Sequence, residues 1–194
     1  MKAAFRALVL TVLVIGSMQT AMGQRTIRMN IERIVSDAAI IVRGTVVKVE
    51  SATDPVTNIL STFVTIQVQQ NLYGAPESMI TLKMIGGSNS KRTLRFSEMP
   101  RYTAGQEIIG LFFAPSKSGF TSPVGMGQGT FTVVKDAASD APVVRIGADH
   151  PQLFAGIKLT KTLARSSWLN GGMQTIDADE FTQTLRNLIT ELKK

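Results

Sequence analysis

A chain of 194 residues, 44% hydrophobic and 18% charged, has the size and apolar content of one globular domain. Zero cysteines exclude a disulfide framework, a thiolate metal site, a cysteine nucleophile and a lipidated N-terminal cysteine; a single histidine, His150, excludes any site built on two imidazoles. Lys and Arg number 21 against 14 Asp and Glu, a formal net charge of +7 that favours anionic partners without naming one.

Residues 1–23 read as a cleaved signal peptide. Lys2 and Arg6 form a positive start, Ala7 to Gly16 are an apolar run broken only by Thr11, and Ala21 and Gly23 frame Met22 as a cleavage site. That run is half of the roughly 20 residues needed to cross a bilayer, and no later stretch approaches that length without charge, so no transmembrane segment is expected after cleavage. Cleavage before Gln24 leaves 171 residues, 19 basic against 14 acidic. The expected location is the periplasm or the external medium of a bacterium. The expected organisation is one β-rich domain over residues 24–194.

In chain order, Asn30 caps a short helix whose Ile31, Ile34, Val35 and Ala38 share one face. From Ala39 to Glu50 the residues turn β-branched, and Gly44 inside that strand predicts a bulge or bend. Asp54-Pro55 marks a turn. Val64, Ile66, Val68 and Leu72 then alternate with Thr65, Gln67 and Gln69, giving a strand with one wet face, ended by Gly74 and Pro76. Ile80, Leu82 and Met84 alternate with Thr81 and Lys83 until Gly86-Gly87. Residues 88–106 read mainly as loop, with a short strand at Thr93 to Phe96. Glu107 to Ala114 is apolar on both parities and predicts a central strand covered on both faces. Further strands are expected near Phe120 to Pro123, Thr130 to Lys135 and Pro142 to Ile146, and residues 147–176 as a packed connection. A helix over 177–192 closes the chain. Asp177 caps it, with Glu180 three residues on, Ile176 stapling to Phe181, and Phe181, Leu185, Leu188, Ile189 and Leu192 on one stripe.

Most chemical motifs dissolve in context. Gly125-Met126-Gly127-Gln128-Gly129 lacks the following helix that a phosphate loop needs and reads as a hairpin or bulge. Asp177, Asp179 and Glu180 miss calcium-loop spacing and suit helix capping. Ser88, Ser90, Ser116, Ser118 and Ser122 sit in no nucleophile elbow, and His150 reads as a surface loop histidine. No catalytic, cofactor-binding or metal residue is assigned. The best lead is the basic stretch Lys91, Arg92, Arg95 and Arg101. It holds four positive charges against Glu98, interleaved with Phe96 and Tyr102, which is a pattern for binding anions. A weaker group is Lys158, Lys161 and Arg165 near Trp168.

The strand count, an early strand bent at a glycine, and a helix on the sheet resemble the oligonucleotide/oligosaccharide-binding (OB) barrel plan. The run Ile41 to Val46, then Thr62-Phe63-Val64, Gly86-Gly87, Gly105-Gln106-Glu107 and Gly125 to Phe131 is similar to uncharacterised exported bacterial proteins, a resemblance that implies no activity. Netrin-like inhibitor domains share the barrel plan but depend on N-terminal cysteines absent here. The expected fold is therefore mainly β, a small antiparallel OB-like barrel or sandwich with flanking helices. The expected function is a non-enzymatic binding or accessory module of the envelope. Its partner would be an anionic glycan, a lipid headgroup or an envelope protein, and export argues against nucleic acid. The alternatives are a hydrolase with scattered Ser, Asp and Glu, or a structural envelope partner pairing through a strand edge.

Overall fold

The computed structural model describes residues 27–75, 77–147, 150, 152–157 and 174–193. The leader at 1–23 and the group Lys158, Lys161, Arg165 and Trp168 lie outside them. The protein is mainly β, a seven-stranded antiparallel sheet with one N-terminal and one C-terminal helix. No helix of the described residues is long and apolar enough to cross a membrane.

Helix α1 spans Ile31–Asp37, with the Asn30 side chain accepting from the Arg33 backbone N–H. Strands β1 (Ile40–Thr53), β2 (Leu60–Tyr73) and β3 (Met79–Ile85) follow as a meander. A short hairpin, β4 (Gly87–Ser88) with β5 (Thr93–Leu94), forms a two-stranded sheet of its own. Then come β6 (Glu107–Phe112), β7 (Thr130–Lys135), β8 (Pro142–Ile146), β9 (Gln174–Asp177) and helix α2 (Ala178–Leu192). The strand order is β3-β2-β1-β6-β7-β8-β9, so the sheet has two edges and is not a closed barrel. Its middle strand is β6, the segment whose double-sided apolarity predicted a central place.

The sheet buries both faces. Ile41, Ile109, Leu111, Phe131 and Val144 point toward the helices, where Ile34 and Val35 of α1 and Phe181, Leu185 and Leu188 of α2 meet them. Across the sheet, Val42, Val46, Val64, Ile66, Leu82 and Phe112 form a second core under the curl of β1, β2 and β3. The curl has a local cause at Gly44. Pairing of β1 with β2 shifts register between Arg43 and Gly44, and a Cβ there would lie 2.4 Å from the Gln67 carbonyl oxygen. Only glycine lets the two backbones approach so closely, and the register shift is the bulge expected at this position.

Three expected elements are formed differently. Residues 120–123 form no strand, only single bridges from Phe120 to Lys83 and from Pro123 to Phe112, because a proline has no N–H to extend the ladder. Gly125 to Gly129 is neither hairpin nor bulge. Gly125 and Met126 take left-handed φ of 63° and 60°, and Met126–Gly129 is a 3-10 turn leading into β7. The connection over 147–176 ends in a strand, β9. Its four residues carry one apolar side chain, Ile176, and exist as a strand through the register with β8 that sets Ile176 opposite Val144.

The closing helix begins as expected: the Asp177 side chain accepts from the backbone N–H groups of Asp179 and Glu180. Lys193, just past that helix, ties it to α1. Its ammonium donates to the Ala38 and Ser36 carbonyls at 2.6 and 3.2 Å, capping the C-terminus of α1, and lies over the Tyr73 ring.

A candidate pocket under a basic flap

Where β3 ends, Gly86 and Gly87 carry φ of 101° and 142° and turn the chain into the β4–β5 hairpin. A Cβ on Gly87 would stand 2.6 Å from Ser51 Oγ and 2.7 Å from Thr62 Oγ1, so glycine lets the hairpin base lie on β1 and β2. The tip is an Asx turn, with the Asn89 side chain accepting from the N–H groups of Lys91 and Arg92 at 2.9 and 3.0 Å. The returning strand is pinned twice: the Gly127 N–H donates to the Glu98 carbonyl, and the buried Tyr102 hydroxyl meets Thr130 Oγ1 at 2.9 Å. Residues 88–99 thus form a flap fixed at its ends and exposed along its length.

Beneath it is a cavity of about 330 Å³, within the lower range of small-molecule pockets. Its wall is apolar, with Val49, Met84, Leu94, Phe96, Met99 and the Tyr102 ring, and Arg95 and Arg101 also line it. The cavity is the open end of the second core, to which Met84 and Tyr102 belong. Its hydroxyls, Ser97 excepted, are bonded within the protein. Thr62 donates to the Gly86 carbonyl at 2.8 Å, Ser51 Oγ lies 3.2 Å from Thr62 Oγ1, and Ser88 Oγ lies 2.7 Å from Thr93 Oγ1. Burial pushes the Tyr102 phenol well above its ordinary pKa of 10.0, against the smaller opposing effect of its bond to Thr130.

The four cations singled out from the sequence therefore divide. Arg95 and Arg101 face one cavity, while Lys91 and Arg92 sit at the flap tip, where Arg92 donates to the Asn58 carbonyl at 3.2 Å. Neither Arg95 nor Arg101 forms an ion pair with a carboxylate of the described residues. The interleaved aromatics divide too: Phe96 is 41% exposed at the rim, and Tyr102 is 9% exposed and turned inward. Sequence reasoning missed Met84, Leu94 and Met99 as cavity walls. Met84 was visible only as a core residue by alternation, and the flap residues carry no periodicity.

Other charged groups serve the scaffold. Arg43, buried in β1, binds Glu107 at 2.7 Å and also Asp179 of α2. Burial works against its charge, but the hydrogen bonds to both carboxylates prevail and raise its pKa. Asp54 accepts from the Thr57 N–H and hydroxyl and from Lys83 Nζ at 2.7 Å, and the Lys83 ammonium lies 4.3 Å from the Phe120 ring centroid. His150 is corrected from a surface residue: it is 9% exposed, stacked on Phe131 with centroids 4.5 Å apart. An aromatic ring beside a large buried phenylalanine gains more from stacking than from water. In the glycine-rich segment, Gln128 accepts from the Met29 N–H at 2.8 Å and donates to the Ile27 carbonyl at 2.9 Å, fastening the segment before α1.

No family model, curated protein or solved structure matches the chain.

Proposed function

We propose that the protein is an exported, non-enzymatic binding module of the bacterial envelope that takes an anionic ligand in the pocket under the 88–99 flap. The observation that carries this reading is the convergence of Arg95 and Arg101 on one apolar cavity. Two guanidiniums beside low-dielectric walls attract an anion more strongly than the same charges spread over a wet surface. Three carboxylates of the scaffold are engaged in ion pairs, Asp54 with Lys83 and Glu107 and Asp179 with Arg43. The signal-peptide pattern in residues 1–23 supports export. We also read the half built from β1, β2, β3 and β6 as an OB-like arrangement. The parallel bridge Lys83 to Phe120 and the antiparallel bridge Phe112 to Pro123 support it, since they link the β3 edge to β6 through residues 120–123.

The test is a head-group comparison. Phenyl phosphate and phenyl glucoside are titrated into the protein at low and high salt, followed by NMR shifts of the flap amides. Phenyl phosphate should bind, weaken with added salt, and be lost in the Arg95→Gln/Arg101→Gln variant. Equal affinity for both compounds, or no effect of the double substitution, would overturn the reading.

A further inference from the structure

Resting on that reading of the pocket, we infer that its ligand is a single-chain amphiphile: one alkyl chain of about ten carbons in the cavity, with an anionic head on Arg95 and Arg101. The lining separates this chemistry from a glycan. Sugar recognition needs hydrogen-bonding groups directed at the ligand. Here the hydroxyls of Ser51, Thr62, Ser88 and Tyr102 are engaged with Thr62, the Gly86 carbonyl, Thr93 and Thr130, which leaves Ser97 alone among the lining hydroxyls to serve a sugar. The apolar part of the lining is the Val49, Leu94 and Phe96 side chains and the thioethers of Met84 and Met99, and the unbranched methionines adapt to a flexible chain.

The size sets the chain length. A volume of about 330 Å³ equals about eleven times the share of one liquid water, close to that of a methylene. A two-chain lipid would leave most of its carbons in water. The flap accounts for the shape of the site. It is joined to the domain at Gly86-Gly87 and at Tyr102, and Leu94 and Phe96 form an apolar underside between those anchors.

The experiment is a chain-length series of alkyl phosphates from butyl to dodecyl, kept below micelle formation and measured by calorimetry on the mature chain. Each methylene that enters the cavity should tighten binding about fourfold, and the gain should stop near ten carbons. Decanoate should bind as decyl phosphate does, and decyl glucoside much more weakly. Met84→Phe, which reduces the space, should shorten the plateau. Should that variant fail to fold, Leu94→Trp on the exposed hairpin serves the same purpose.

The outcomes separate two sources and two levels of the proposal. Saturable binding of the monomers supports capture of free amphiphiles. Binding only to phosphatidylglycerol vesicles, with no affinity for the monomers, overturns the pocket in favour of surface adsorption. Phenyl phosphate binding through Arg95 and Arg101 with no dependence on chain length overturns the amphiphile and leaves anion binding intact. Failure of every anion overturns both.

Discussion

Phe181→Ala puts the packing of α2 on the sheet to a quantitative test. The side chain is fully buried at 0% exposure, tilted 59° against Phe131 with centroids 4.8 Å apart, and Phe131 in turn stacks on His150. Removing the ring forfeits about 1.5–3 kcal/mol of burial. It also leaves a void of roughly 100 Å³, worth about 2 kcal/mol at ~24 cal/mol per Å³ if the neighbours stay in place. The sum of about 4 kcal/mol falls in the ~3–5 kcal/mol range for such truncations. For a domain of this length it lowers the melting temperature by roughly 8–16 °C. Urea unfolding followed by circular dichroism gives the free energy directly. The internal control is Phe96→Ala on the flap: Phe96 is 41% exposed and should cost less than about 1 kcal/mol. Equal losses for the two, or a loss below about 1 kcal/mol for Phe181→Ala, would refute the helix-on-sheet core. The contrast also shows that substitutions in the flap can be read as binding effects.

Four further outcomes follow from the geometry. Gly87→Ala places a Cβ against Ser51 and Thr62 at a φ of 142°, so it should cost about 1–3 kcal/mol and speed proteolysis within residues 88–98. Gln128→Ala removes the hold on Ile27 and Met29. A loss of about 1–2 kcal/mol is expected, with faster hydrogen exchange at the Met29 amide. Asp54 is held at about 2, below its ordinary 3.8, chiefly by the Lys83 hydrogen bond and then by those of Thr57. A carboxylate lowered on folding stabilises above its unfolded pKa and loses that contribution as pH falls from about 4 through about 2. Acid unfolding of Asp54→Asn should lack this leg. Tyr102 has the opposite sign: its raised pKa stabilises fully below the unfolded value of about 10 and is lost as pH rises beyond it. In a Tyr73→Phe background, which leaves Tyr102 as the one tyrosine, the 295 nm tyrosinate signal should appear only with unfolding.

Local patterning by itself determined much of this protein. Asn30 and Asp177 as caps, the stripe Phe181-Leu185-Leu188, the alternation Ile80-Leu82-Met84 and the two-sided apolarity of β6 are short-range periodicities, and each chose its element because burial rewards one face at one period. Gly44 was legible as a bulge or bend, since a glycine amid β-branched residues marks an irregularity of the strand, and the structure added the close approach to Gln67. The basic stretch was legible as charge, but not as a site. Tertiary structure alone decided that Arg95 and Arg101 share a cavity while Lys91 and Arg92 do not, because the flap's course depends on Gly127 and Thr130, far along the chain. It decided that His150 is buried, since its partner Phe131 lies on β7, distant in the chain. It made residues 174–177 a strand through pairing with β8, and left 120–123 at single bridges because Pro123 cannot donate. Periodicity reports which face is buried; which distant residues complete a site is set by register and packing between elements.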